Sequence, residues 1–222
     1  MKVETHVVHR LVWISLFGVA FAYVESSTVV YLYALYYPEG FTFPLKLINH
    51  EHLVVELARE LATIVMLGTA AIIAGIKGWQ RFGYFLVVFG VWDIFYYVWL
   101  KVILDWPLTL VDWDVLFLIP LPWIGPVLAP LLIAALMTSF GTVIVIRIGK
   151  GDYFQPNVLS WFVAIMATVI LLYSFILDIP ATLQGKMPAP YHYEFLVVGL
   201  VLYLAGFFVA CKRPLVDSKT TA

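Results

Sequence analysis

The chain has 222 residues, 63% of them hydrophobic and 12% charged; an ordinary soluble domain has about a quarter charged, so a soluble globular fold is excluded. A formal charge of −1 with no Lys/Arg cluster excludes the basic surface of a nucleic-acid binder. Cys211 is the only cysteine in the sequence, which excludes an internal disulfide and a four-cysteine metal site.

Residues 11–24, 61–76, 115–146, 153–177 and 195–211 contain no Asp, Glu, Lys or Arg, and several of these runs approach or exceed the roughly 20 apolar residues that cross a bilayer. Read against Gly, Pro and charge punctuation, the sequence predicts an all-α, polytopic membrane helix bundle. Its six spans lie near residues 9–35, 53–76, 82–104, 124–148, 157–178 and 193–211. The connections are short, so one transmembrane domain is expected to fill the chain, as a multi-pass protein of the cell membrane in contact with lipid.

The first span follows MKVETHVVHR, and Ala20-Phe21-Ala22 imitates a signal-peptide cleavage site. Apolar character continues to Tyr37, so the segment is read as an uncleaved span. Glu25 lies past its middle, and one helical face runs from it through Thr28 to Tyr33 and Tyr36. Residues 31–44, YLYALYYPEGFTFP, read as interfacial. The second span opens with HEHLVVELARE, where His52, Glu56 and Glu60 recur every four residues and Arg59 follows Glu56 by three. In the third span, FGVWDIFYYVWLK places Asp93 near mid-depth, with Tyr97 and Lys101 four and eight residues on.

Charged side chains at the bilayer centre cost roughly 2.5–3.5 kcal/mol on insertion scales, so such groups normally face one another inside a bundle. The three polar stripes therefore predict one shared pocket, with Glu25, Glu56, Glu60 and Asp93 outnumbering Arg59 and Lys101. A bound cation, protonated carboxylates or a partner subunit would balance the excess. Arg59 between Glu56 and Glu60 fits a structural ion pair equally well. His52, Glu56 and Glu60 offer a candidate metal set, with His50 and His192 on the same expected side, although the spacing is not HEXXH. A solvated interfacial role for His52 is the alternative.

The third-to-fourth connection, DWPLTLVDWDVLFLIPLPWIGPVLAP, combines Asp112 and Asp114 with three tryptophans and four prolines after Pro107. Such proline density resists one straight helix. It reads either as an interfacial or re-entrant segment capping the bundle, with Asp114 a candidate site residue, or as an aromatic belt beside a kinked fourth span. Spans four to six are almost purely apolar and read as scaffold or lipid contact.

Lys2, Arg10, Lys77, Arg81, Arg147, Lys150, Lys212, Arg213 and Lys219 fall on one side, against Lys46, Lys186 and Lys101 on the other. Both termini are thus expected to be cytoplasmic and the polar stripes to rise outward. Three spans followed by three of opposite sense would permit an inverted repeat, but the halves share no pattern.

FGVWDIFYYVWL and WDVLFLIPLPWIGPVLAP resemble segments of small multi-span prokaryotic membrane proteins that are uncharacterised; the resemblance covers roughly residues 20–135. It implies a membrane location and no activity, cofactor or ligand set. Three functions remain open on the sequence. The leading one is an outer-half site for a cation, proton or metal ion, open to coupling with transport, in a homodimer. The others are a non-catalytic subunit or assembly factor of a larger membrane complex, and an intramembrane enzyme acting on a lipid-like or quinone-like substrate.

Overall fold

The structure, a computed structural model, describes residues 2–39, 49–119, 121–152 and 154–211. Lys46 and the basic residues after Cys211, used above for orientation, lie outside the described residues. Six helical segments are long and apolar enough to cross a membrane. They are α1 (Lys2–Tyr36), α2 (His50–Ala74), α3 (Gly78–Leu104), α4 (Leu128–Gly149), α5 (Val158–Ile176) with the short α6 (Ile179–Leu183) behind it, and α7 (Tyr193–Cys211). A two-stranded sheet, β1 (Trp113–Phe117) and β2 (Trp123–Pro126), stands between α3 and α4.

Local chemistry sets the element ends. Asn49 and Asn157 cap α2 and α5, their side-chain oxygens accepting the N–H of His52 and Ser160. Asp105 ends α3 in the left-handed conformation, φ 53°, which Asp tolerates better than most residues. The fourth span starts at Leu128, four residues later than the sequence predicts, because Trp123–Pro126 pairs as a strand. Pro130 then falls in the first turn of α4, where its missing N–H costs little.

α3 is the central post. It packs against α1, α2 and α4, while α5 pairs with α7. α4 packs more extensively against α3 than any other element does. Lipid supplies no hydrophobic drive between helices, so small residues that let backbones meet decide such contacts. A Cβ added at Gly90 would lie 2.5 Å from the Ala134 carbonyl oxygen, and one at Gly141 would lie 2.4 Å from that of Gly83. α1 adds two polar links to its apolar contact with α3. Ser26 Oγ donates to the carbonyl of Tyr96 at 3.0 Å, and Trp99 Nε1 donates to that of Val19 at 3.0 Å.

One end of the bundle gathers the start of α1 and the ends of α2, α4 and α7. There Arg10 Nη1 donates to the Ala74 carbonyl (3.1 Å), Arg81 Nε to that of Gly75 (3.1 Å) and Arg147 Nη1 to that of Cys211 (2.8 Å). Each guanidinium meets carbonyls that a helix terminus leaves unpaired, at the negative end of its dipole. The opposite end carries the hairpin.

The glycine seam predicts a contrast. Gly141→Ala and Gly90→Ala should each destabilise by about 1–3 kcal/mol through overpacking. Gly68→Ala, where an added Cβ meets nothing within 4 Å, should be neutral or stabilising by up to about 1 kcal/mol. Thermal unfolding of the three variants in one detergent checks this; equal melting points would remove the seam.

Candidate functional site

At the hairpin end, α1, α2, α3, both hairpin strands, α6 and the first turn of α4 line a cavity of about 280 Å³. The helical periodicity that aligns the polar residues in sequence brings Glu25, Glu56, Arg59, Glu60, Asp93 and Tyr97 onto its wall, and β1 adds Asp114. Val29, Leu32, Leu53, Phe117 and Ile124 supply apolar surface, and Tyr33, Tyr36, Trp92 and Tyr96 supply rings.

Arg59 sits between two helices' carboxylates. It contacts Glu25 Oε1 of α1 through Nη1, and Glu56 Oε2 of its own helix through Nε (2.9 Å) and Nη2 (2.7 Å). Glu25 also accepts the Thr63 hydroxyl at 3.1 Å. Glu25, Glu56 and Glu60 are all buried, at 7, 4 and 6% exposure, so their fixed partners replace water. Glu60 turns to the hairpin, where both its carboxylate oxygens lie 3.0 Å from the donating N–H of Leu118. A helix carboxylate thus satisfies backbone just past β1, which lipid cannot do.

β1 and β2 pair antiparallel with Asp114 opposite Gly125 and an irregularity between Val115 and Phe117. Two aspartates of this connection have opposite fates. Burial pushes the Asp112 carboxyl up, but the Thr109 hydroxyl and the N–H groups of Thr109 and Leu108 outweigh it and hold it below the usual range. Asp112 therefore fixes the turn. Asp114 is 3% exposed, and burial raises its carboxyl from 3.8 to about 7. Its hydrogen bonds from Tyr97 Oη (3.0 Å) and the Val115 N–H (2.8 Å) act against that rise without cancelling it.

Asp93 differs from the other acids. It opens onto the cavity and has no hydrogen bond or ion pair among the described residues. At the preceding position Trp92 is 6% exposed, and its indole N–H has no acceptor among the described residues.

Two expectations require correction. Lys101 does not join the cluster: its ammonium turns to the end of α3, pairing with Asp105 (2.8 Å) and donating to the Pro107 carbonyl (3.0 Å). The long stem lets the charge leave the apolar interior. The metal set His52, Glu56 and Glu60 does not converge either. Glu56 is held by Arg59, Glu60 by Leu118, and His52 Nδ1 lies 2.5 Å from Tyr36 Oη. Among the described residues no group of three or more His, Cys, Asp or Glu is placed to hold a metal ion. His192 pairs with Glu194 instead. Thr28 turns its hydroxyl to the Val24 carbonyl, and Val29 takes the cavity position. Thr63, Trp92 and Tyr96 were missed, although Thr63 continues the Glu56–Glu60 face at three further residues. No protein-family model, curated protein or solved structure matches the chain.

Two measurements test this geometry. Arg59→Met should destabilise by about 3–5 kcal/mol, because it leaves two buried carboxylates facing each other. The triple variant Arg59→Met/Glu25→Gln/Glu56→Gln should recover most of that loss in thermal unfolding. Asp114, with its folded value raised, binds more protons folded than unfolded between about pH 4 and 7. Its stabilising contribution is complete below that window and is lost as pH rises through about 7. Asp114→Asn should therefore gain on the parent in melting temperature from pH 5 to pH 8; a gap that stays constant would contradict the burial.

Proposed function

We propose that this membrane protein binds a small amphipathic organic molecule in the cavity beneath its hairpin. The observation that carries this reading is Asp93, a carboxylate on the cavity wall with no hydrogen bond or ion pair among the described residues, in a space where the other charged groups are paired and the remainder is apolar chains and rings. Asp93 is partly buried, with its carboxylate open to the cavity, and an ionisable group inside a membrane bundle marks a site by default. Binding sites combine mostly apolar walls with a few placed polar groups, as this wall does.

The polar cluster divides its labour on this reading. Glu25, Glu56 and Arg59 fasten α1 to α2, Glu60 fastens the hairpin, and Asp114 with Tyr97 joins the hairpin to α3. That leaves Asp93 to meet the ligand. The pattern does not favour an inorganic metal ion, whose ligands are here engaged elsewhere. On the orientation that the Lys/Arg distribution predicts, the site lies in the half of the membrane away from the cytoplasm.

Filling the cavity tests the reading. Val29 on α1 lines it, so Val29→Phe should displace a bound molecule while leaving the ion pairs in place. Native mass spectrometry of protein released from lipid nanodiscs should find about one bound organic molecule on the parent and a loss of at least fivefold in its occupancy on the variant. Identical bound masses on both would end the proposal.

A further inference from the structure

We infer that the ligand of the hairpin-end cavity is an organic cation, an ammonium group on an apolar body, with Asp93 as its counter-ion. This rests on the reading of the cavity as a binding site and adds the ligand's charge. Five carboxylates line the space, Glu25, Glu56, Glu60, Asp93 and Asp114, against the single guanidinium of Arg59. Arg59 serves Glu25 and Glu56, while neutral N–H and O–H donors hold Glu60 and Asp114. Lys101 faces away, so no cation among the described residues pairs with Asp93.

The shape of the wall separates an organic from an inorganic cation. Calcium or magnesium needs about six or more oxygen ligands at short range, and no such group exists among the described residues. An ammonium spreads its charge over carbon and hydrogen, and one carboxylate with ring faces suffices for it. Those rings are present and contiguous. Trp92, Tyr96 and Tyr97 line the cavity, with Trp92 and Tyr96 6.4 Å apart at 28° and Tyr96 and Tyr97 4.9 Å apart.

An isosteric pair of probes isolates charge from shape: benzyltrimethylammonium, and neopentylbenzene, in which carbon replaces the nitrogen. Binding is followed by tryptophan fluorescence on protein in zwitterionic nanodiscs. The expected result is at least tenfold tighter binding of the cation, with Asp93→Asn removing that preference and Asp93→Glu keeping most of it. Should Asp93→Asn not fold, Tyr96→Leu carries the test by weakening the cation severalfold and the neutral probe little. Equal binding of both probes, each weakened by Val29→Phe, would overturn the cationic ligand while sparing the cavity as a site. Binding of neither probe would overturn both, and a preference that survives Asp93→Asn and Tyr96→Leu would overturn this placement of the charge.

Discussion

The arrangement depends on how α1 and α2 are joined. They share little packed surface, and lipid offers no hydrophobic force to press them together. Polar links do it instead: Arg59 with Glu25 and Glu56, Thr63 with Glu25, Tyr36 with His52 and Arg10 with the end of α2. A seam fastened by a few directional bonds need not be filled by side chains between them. The cavity is the space left between those bonds, with α3 as its back wall, so clamp and cavity share one cause.

A short hairpin beside apolar helices poses a second problem, because strand edges expose backbone groups that hydrocarbon cannot satisfy. Each exposed stretch has its own answer. Glu60 receives the Leu118 N–H, Asp112 receives those of Leu108 and Thr109, and Lys101 donates to the carbonyls of Asp105 and Pro107. Trp123 lies against Phe175 at 6.5 Å with nearly parallel rings, so β2 is packed on α5. The acids near the hairpin are thus spent on geometry, which is why Asp93 stands apart from them.

Much of this was legible in the sequence, because charge in a long apolar run is rare and helical spacing is rigid. Spacing alone aligns Glu25, Glu56, Arg59, Glu60, Asp93 and Tyr97 on their helices, and all line one cavity. Asp114 was legible only as a member of a segment that resists a helix. What could not be read were choices settled between elements. A lysine stem can lie along either direction of its helix, so spacing places Lys101 with the cluster while the end of α3 draws its ammonium to Asp105 and Pro107. Thr28 and Val29 both lie near the Glu25 face, and hydroxyl bonding to the helix's own backbone settles which one meets the cavity. The strands escaped because WDVLF and WIGP are too short, and too rich in proline around them, to show a period of two.

Arg10 ties α1 to the last turn of α2, and Tyr36 meets His52 at the other end of the same pair, with Arg59 and Glu25 between them. Roughly 40 Å of helix separates Arg10 from Tyr36 at 1.5 Å per residue. Two rods tied near both ends keep their spacing without side chains filling the gap, so the width of the mouth is set by the ties and not by packing volume.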